Sequence, residues 1–301
     1  MTNKVLAITA VASVLALSSC KEKGPIIDFG GHTAKDSTYT SATETQQQRM
    51  VLVEEFTGAS CSNCPAAHTV LNAIDAQHSG RLAIMAMHIF NFGQAEPWPG
   101  SKYDFRTQDA TDVGNTIYGG VSLMPAAGIN RLSSSGNGLN PPYNNLFGSG
   151  VWSQYMSSYL DSVPPVNLTV TSSLNATGDT AYIVVKAAYT KSVTTKNMLS
   201  VAITEGSFID YQEDPAFQST GGVDSSAHFN DVLRAFVSPT LGSSMLDSLS
   251  EKAPGRVFTR SYLFKIDPTW KAENCKVVAY IANGESADKR VLQAAVTKLK
   301  P

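Results

Sequence analysis

The cysteine pair in the segment TGASCSNCPAAH constrains the fold of this chain more than any other feature of its sequence. Cys61 and Cys64 follow the run RMVLVEEF, which is rich in Val, Leu and Phe and predicts a buried strand. Pro65 suits the first turn of a helix, where a missing N–H costs little. Helical spacing of apolar residues then continues toward Gly80, and RLAIMAMHIF predicts a second strand. We therefore expect a βαβ unit with the cysteines at the carboxyl edge of a sheet.

A cysteine pair at a helix start favours redox chemistry. Unpaired backbone N–H groups and the positive end of the helix dipole stabilise a thiolate there, and such cysteines have pKa values of about 3.5–7.5. Cys61, at the tip of the helix, would be the more exposed thiol and would attack a substrate disulfide. Cys64, one turn further in, would be the resolving partner.

Two other interpretations of the pair stay open at this point. Cys61, Cys64 and His68 have the spacing i, i+3 and i+7, which brings soft ligands near one helical face that would suit Cu(I) or zinc. A closed zinc site usually needs four ligands and the sequence offers no fourth, so we predict no metal and no cofactor. Alternatively, the pair is a structural or residual disulfide in a protein whose role is binding.

The stretch LVEEFTGASCSNCPAAHTVLNAI resembles the active-site region of thioredoxin-like proteins. The resemblance implies that Glu55, six residues before Cys61, is a buried acid that assists proton transfer. It also implies that GGVSLMPAAGINR contains a cis-proline opposite the dithiol, which makes Pro125 that residue and Met124 its predecessor. A cis X–Pro bond is a minority state, at about 5–6% of such bonds, so a structure tests this expectation directly.

The sequence departs from the thioredoxin pattern near the cysteines. Ser60 stands where an aromatic residue usually precedes the first cysteine, and Ser62–Asn63 matches no common redox dipeptide. The chain between Cys64 and Pro125 is also longer than in a minimal thioredoxin. The surplus contains Trp98 in a Pro-rich loop, which either forms a substrate-binding rim beside the dithiol or packs on the body of the protein.

The C-terminal half has a different pattern of apolar and polar residues. Short alternating apolar runs, such as TAYIVVKAAYT and CKVVAYIAN, are separated by Gly, Asn, Asp and Ser clusters and predict a β-sandwich of immunoglobulin-like type. A long connection, residues 206–254, interrupts the series and either packs against the first domain or is functional itself. We expect His88, His228 and Arg234 to be structural, and Cys275 to be a buried, inert thiol.

The N-terminus predicts export and lipidation. Lys4 precedes an apolar stretch of signal-peptide length, and LSSC at residues 17–20 resembles the lipobox of bacterial lipoproteins. The resemblance implies removal of residues 1–19 and lipid attachment at Cys20, which anchors the protein to a membrane outside the cytoplasm of a Gram-negative cell. Residues 20–48 are Thr/Ser/Gln-rich and predict a flexible tether. The space outside the cytoplasm permits disulfides.

The chain as a whole resembles the twenty-eight-kilodalton outer membrane protein family. The resemblance rests on the lipoprotein signal and on HIF, YDFRT, MPAAGINR, HFNDVLRAF and RVLQAAV. It implies an outer-membrane lipoprotein on the periplasmic or cell-surface face, in a family described as antigens or adhesins whose redox role is inferred from fold. The net charge of −2 gives no reason to expect a nucleic-acid partner.

These observations predict an α/β thioredoxin-like domain at residues 49–163, followed by an all-β immunoglobulin-like sandwich at residues 164–301. The predicted function is thiol–disulfide exchange with extracytoplasmic protein thiols and disulfides, by a protein held to the membrane through Cys20. The alternative is an adhesin-type binding lipoprotein whose dithiol is structural or residual.

Overall fold

The computed structural model of this protein describes residues 22–28, 33–78, 80–132, 146–286 and 288–299. The predicted signal peptide, residues 1–19, and the predicted lipid-attachment residue Cys20 lie outside this part of the chain. The described residues form fifteen β-strands and three α-helices. Within these ranges, none of the helices has the length and apolar character needed to span a bilayer.

After two initial strands, strands and helices alternate from residue 51 to residue 160, and the elements are strands thereafter, apart from short 3₁₀ turns. The first group is β1 Glu22–Asp28, β2 Thr33–Thr40, β3 Val51–Phe56, α1 Cys64–Gln77, β4 Leu82–Met87, α2 Gln108–Tyr118, β5 Ala126–Ile129 and α3 Trp152–Leu160. The second group is β6 Val166–Leu174, β7 Thr180–Tyr189, β8 Asn197–Glu205, β9 Phe208–Glu213, β10 Val223–Phe229, β11 Val232–Phe236, β12 Ser243–Met245, β13 Arg256–Lys265, β14 Cys275–Asn283 and β15 Val291–Lys298.

Strands from both halves of the chain join in one eight-stranded sheet. Its order is β15-β14-β8-β11-β4-β3-β5, with β12 paired to β8. β3 and β4 are parallel and flank α1 in sequence, as the βαβ prediction requires, and β5 is antiparallel to β3. The halves meet where β11 pairs in parallel with β4 at Val232 and Ala86, and Ala86 N donates to Asp231 O at 2.8 Å.

The predicted fold class, an α/β thioredoxin-like domain followed by an immunoglobulin-like sandwich, is wrong. The described chain is mostly β, with three α-helices, and its largest sheet crosses the expected boundary between residues 163 and 164. β8 and β14 explain the error because almost every residue in them is buried. Strands that are covered on both faces form the centre of a layered structure, whereas strands of a two-sheet sandwich have one solvent face.

The two faces of the large sheet carry different layers. One face of β8 and β14 packs against the five-stranded sheet, whose order is β1-β2-β13-β7-β6. The opposite face packs, through Ala202, Val278 and Tyr280, in the same apolar cluster as Val113 and Ile117 of α2. α1 and α3 cover apolar residues of β3 and β5 in a third cluster. The disulfide region therefore rests on a core built from both halves of the chain.

Part of the segment predicted to be a flexible tether is ordered structure. β2 pairs with β13 over eight residues, from Thr40 opposite Arg256 to Thr33 opposite Leu263. The buried Arg260 side chain binds Asp36 through two hydrogen bonds of 2.5 Å. A polar, Thr-rich sequence forms a strand here because its outer face meets solvent, while this ion pair secures the inner face.

A buried polar network fixes the end of β5 against β3 and α2. Arg131 donates to both carboxylate oxygens of Glu54, at 2.7 and 3.0 Å, and to the hydroxyl of Tyr280 at 2.8 Å. Tyr118 donates to the same carboxylate at 2.5 Å. A Cβ at Gly128 would lie 1.7 Å from the Tyr118 hydroxyl, so only glycine leaves room for this bond. The network holds the strand that follows Pro125.

Candidate functional site

Cys61 and Cys64 form a disulfide at the start of α1. Their sulfur atoms are 2.07 Å apart and their Cα atoms are 5.4 Å apart. Cys64 is the first residue of α1 and Pro65 lies in its first turn, as the sequence predicted. The loop from β3 makes a tight turn here, because Cys61 N donates to Gly58 O at 3.2 Å and Cys64 N donates to Cys61 O at 3.1 Å. The disulfide thus lies at the carboxyl end of β3.

Both cysteines are completely buried, at 0% exposure. The sequence predicted an exposed Cys61, and the structure differs because a short 3₁₀ turn at Gly93–Ala95 closes over the cysteine loop. Ser60 N donates to Gln94 O at 3.1 Å, and a Cβ on Gly58 would lie only 2.1 Å from that oxygen. Ala95 and Met124 share the apolar cluster of the two cysteines. A reagent cannot reach either sulfur in this conformation.

The β9–β10 hairpin holds the cysteine loop from the other side. The buried Gln212 amide lies 3.2 Å from the carbonyls of Gly58 and Ala59 and 3.1 Å from that of Cys61, and its Nε2 donates to all three. Glu213 N adds a bond of 2.8 Å to Ala59 O. Gln212 therefore links the disulfide loop to a hairpin about 150 residues away in sequence.

The same hairpin holds the long loop that carries Trp98. The buried carboxylate of Asp210 accepts hydrogen bonds from Lys102 N, at 2.9 and 3.0 Å, and from Tyr103 N, at 2.9 Å. Trp98 itself is half-buried. Among the described residues, it does not line the groove beside Pro125, so its predicted substrate-binding role has no geometric support there. β9 is therefore hydrogen-bonded both to the cysteine loop and to the long loop whose Gly93–Ala95 turn covers the disulfide.

Pro125 lies beside the helix start. The Met124–Pro125 peptide bond is cis, the conformation that the resemblance implied. A shallow groove runs between the start of α1 and the loop that carries Pro125. It is lined by Asn63, Ala66, Leu123, Met124, Pro125, Gly148, Ser149, Gly150 and Val151. Its rim is apolar and open to solvent, since Leu123 is 49% and Val151 39% exposed. The groove therefore extends from Asn63, one of the two residues between the cysteines, to the loop that carries Pro125.

Glu55 is buried on the side of β3 that faces α1. Its Oε1 has no hydrogen-bond partner among the described residues and lies 3.5 Å from Nε2 of His68. Burial raises the pKa of Glu55; the neighbouring His68 opposes this shift and Asp231 adds to it. His68 also lies 2.9 Å from the hydroxyl of Thr57. A raised pKa favours the protonated carboxyl, which is the form that donates a proton in general acid–base chemistry.

Of the other chemistry-bearing residues, His88, Arg234 and Cys275 are buried or paired within the fold, whereas His228 is not. Burial lowers the pKa of His88 to about 3, and its ring packs against Phe105. Arg234 forms an ion pair with Glu205 at 3.4 Å. Cys275 is a buried free thiol, and burial raises its pKa to about 12. His228 is exposed on β10.

The described part of the chain offers no metal site. No group of three or more His, Cys, Asp and Glu side chains in it is arranged to hold an ion. The sulfur atoms of Cys61 and Cys64 are bonded to each other, so neither is available as a thiolate ligand. His68 instead contacts Glu55 and Thr57.

Reasoning from sequence missed Gln212 and Asp210. Both lie in the segment FIDYQE, where polar residues alternate with apolar ones. Such alternation is typical of a strand whose polar side faces water. In the structure, both polar side chains point inward and bind backbone groups of the neighbouring loops. Only the tertiary contacts reveal this, because no local sequence signal distinguishes the two orientations.

Two solved structures are similar to this chain. HBP35 of Porphyromonas gingivalis has a similar fold, with a TM-score of 0.61 and 16% sequence identity over 87% of this chain and 77% of that one. A structural-genomics crystal structure from Agrobacterium tumefaciens matches with a TM-score of 0.46 and 13% identity over 84% of this chain and 95% of that one. No protein-family profile and no curated protein matches the chain.

Proposed function

We propose that this protein is an outer-membrane lipoprotein, anchored through Cys20, whose Cys61–Cys64 pair exchanges disulfides with extracytoplasmic protein thiols. The lipobox-like residues 17–20 and the resemblance to the twenty-eight-kilodalton outer membrane protein family support the location. The chemistry is supported by one arrangement above all others. A disulfide at a helix N-terminus has a cis-proline loop on one side and a buried acid with a raised pKa close to the same helix.

The exchange proceeds in two thiolate attacks. A substrate thiolate attacks Sγ of Cys61, the Cys61–Cys64 bond breaks, and Cys64 leaves as a thiolate that takes up a proton. A second substrate thiolate then attacks the substrate sulfur of the mixed disulfide, which releases an oxidised substrate and the Cys61 thiolate. Two electrons pass from substrate to protein. Run in reverse, the same steps reduce a substrate disulfide.

The positive end of the α1 dipole and its free N–H groups favour the Cys61 thiolate in the reduced state. The open apolar groove beside Pro125 offers a surface along which an extended peptide is able to approach. Because Cys61 is 0% exposed, the cover formed by Gly93–Ala95 and the β9–β10 hairpin has to open before attack. Exchange is therefore gated by a local opening of the protein.

Trapping of mixed disulfides tests the proposal. A Cys64→Ser variant is expressed with its lipid anchor in a Cys275→Ser background, so that Cys61 is the remaining thiol of the site. We expect it to retain substrate proteins through reductant-sensitive bonds that mass spectrometry identifies. A Cys61→Ser variant in the same background is the matched control, and equal or empty traps in both variants would contradict the proposal.

The complete burial of the disulfide favours a second candidate function, a binding or adhesin-type lipoprotein in which the bond only stabilises the fold. A structural disulfide typically contributes about 2–4 kcal/mol through restriction of the unfolded chain. Under this alternative, the double variant Cys61→Ser, Cys64→Ser loses stability and retains its partner and its role in the cell. Under the first proposal, the double variant loses the cellular role although it folds.

A further inference from the structure

The outer face of the five-stranded sheet carries large side chains that point to solvent. Tyr39 of β2 is 44% exposed, Tyr182 of β7 47% and Leu263 of β13 48%. Leu263 lies directly opposite Tyr182 in the register of β7 and β13. Residues that alternate with these along the strands, such as Ile183 and Phe264, belong to the apolar core on the inner face. The outer face is therefore the side of this sheet that meets the surroundings of the protein.

Hydroxyl side chains separate the three large residues. Ser37, Thr171 and Ser173 lie on the same face, and the last two are exposed. A face of Tyr, Leu, Lys, Ser and Thr is too polar for a protein core. It suits the headgroup layer of a bilayer, where Tyr and Lys direct an apolar body toward the acyl chains and a polar end toward water.

The same face carries a surplus of positive charge. Lys186 is paired with Glu44 at 2.5 Å, and Lys265 lies close enough to Asp179 to interact with its charge. Lys35, exposed on β2, is the lysine of this face that neither carboxylate neutralises. A lysine at a lipid surface is attracted by anionic headgroups.

The start of β1 fixes where the proposed lipid anchor reaches the fold. Only Lys21 separates Cys20 from Glu22, the first residue of β1, so the covalent chain can place Cys20 no further than about 7 Å from this strand. β1 is the edge strand of the five-stranded sheet, and Glu22 is paired with Thr38, next to Tyr39. The anchor therefore holds this sheet close to the bilayer surface.

We propose that the outer face of the five-stranded sheet docks on the phospholipid bilayer that holds the lipid anchor. The inference rests on the anchoring at Cys20 in the proposed function and adds the surface through which the folded body contacts the membrane. Tyr39, Tyr182 and Leu263 lie among the headgroups, and Lys35 faces the phosphates. The face does not enter the hydrocarbon, since hydroxyl side chains form its centre.

Docking of this face sets the orientation of the disulfide. The apolar cluster that contains Cys61 and Cys64 lies on the face of the large sheet opposite to the one that packs against the five-stranded sheet. Packed sheets are about 10 Å apart, so both cysteines lie beyond the large sheet as seen from the bilayer. The docked protein therefore turns the disulfide toward soluble proteins and away from lipid.

Quenching of a bimane label by nitroxide lipids tests the docking. The lipidated protein is reconstituted in vesicles of phosphatidylethanolamine and phosphatidylglycerol, with the label attached to a Ser173→Cys variant. Ser173 is exposed opposite Tyr182 on β6, the sheet edge furthest from β1, so the anchor alone does not bring it to the lipid. Asn115→Cys, exposed on α2, is the matched control. We expect the label at 173 to lose emission and the label at 115 to keep it; Thr171→Cys repeats the measurement if Ser173→Cys is unstable.

Lys35→Gln tests the contribution of charge. A lysine near an anionic surface favours binding by about fivefold, so this variant should lower the ratio of docked to undocked protein about fivefold. The two populations are counted from the quenched and unquenched lifetimes of the label. Lys102→Gln removes an exposed charge from the loop beside β9 and leaves the ratio unchanged. Equal ratios in the two variants would overturn the role of Lys35.

The outcomes separate this inference from the proposed function. If the protein floats with the vesicles and the label at 173 keeps its emission, the docking is wrong and the anchor stands. If the protein carries no lipid and does not float, the anchoring and the docking both fail. Cross-linking between two copies of the Ser173→Cys variant in place of quenching would assign the face to a dimer and overturn the docking.

Discussion

Gln212 offers the sharpest test of how the disulfide is covered, because one side chain binds three carbonyls of the cysteine loop. We predict that Gln212→Ala makes the disulfide of the folded protein much easier to reduce. The amide has two N–H bonds, which are shared among the carbonyls of Gly58, Ala59 and Cys61 at 3.1–3.2 Å and that of Glu213 at 3.1 Å. Their removal loosens the link between the β9–β10 hairpin and the loop.

The magnitude follows from two neutral hydrogen bonds. Each contributes about 1 kcal/mol net, so the free energy of opening the cover falls by about 2 kcal/mol. Since about 1.4 kcal/mol corresponds to a tenfold change, the population of the open form rises about 30-fold. Reduction by a small thiol follows that population when opening and closing are fast compared with attack. The observed rate constant of reduction is therefore expected to rise about 30-fold.

The assay is alkylation of newly formed thiols under native conditions, sampled over time and quantified by mass spectrometry. Gln293→Ala is the matched control, since Gln293 is also buried and binds Gln48 O at 3.1 Å and Met50 N at 3.0 Å, away from the cysteines. Both variants lose comparable global stability, and only Gln212→Ala exposes the disulfide. Equal rates in the two variants would show that reduction requires global unfolding, and the account of a local cover would be refuted.

Three further predictions concern the surroundings of the site. His88→Leu removes a group whose pKa falls from 6.5 to about 3 on folding, so the stability that the neutral His88 contributes is complete above pH 6.5 and is lost as the pH falls toward 3. In urea unfolding, the free energy of unfolding of the unmodified protein relative to the variant should fall by about 3 kcal/mol between pH 7 and pH 4.5. An unchanged relative stability would contradict the assignment. Gly58→Ala forces a Cβ to within 2.1 Å of Gln94 O, so the variant should have a lower Tm and its disulfide should be reduced faster. An unchanged Tm together with an unchanged rate of reduction would exclude the tight contact. Tyr118→Phe removes a hydrogen-bond donor from the buried Glu54 carboxylate and should lower the free energy of unfolding by about 1–3 kcal/mol, measured with urea at neutral pH. Equal stability of the variant and the unmodified protein would disprove this.

The local features of the site were accessible from the sequence. β3, α1 and β4 follow the apolar periodicity of residues 49–90, and Pro65 indicates where the helix begins. The cis bond at Pro125 was implied by resemblance rather than by any physical pattern. These elements depend on interactions between residues close in sequence, which is why a pattern of apolar and turn residues suffices to locate them.

The fold class and the cover depend on contacts that no periodicity encodes. β11 joins β4 through a single pair, Val232 with Ala86, and this bridge merges the two predicted domains into one sheet. The near-continuous burial of β8 shows that it is covered on both faces, but the sequence does not say by what. Gln212 resembles a surface residue until the loop that it binds is placed next to it.

The reduction potential of Cys61–Cys64, measured in the folded protein by equilibration with a dithiol buffer, tests the proposed exchange most directly. The account predicts reversible reduction at a potential between about −270 and −120 mV, the range of known thiol–disulfide oxidoreductases, with mixed disulfides formed at Cys61. A potential below about −300 mV, typical of structural disulfides, together with no exchange under native conditions, would contradict it.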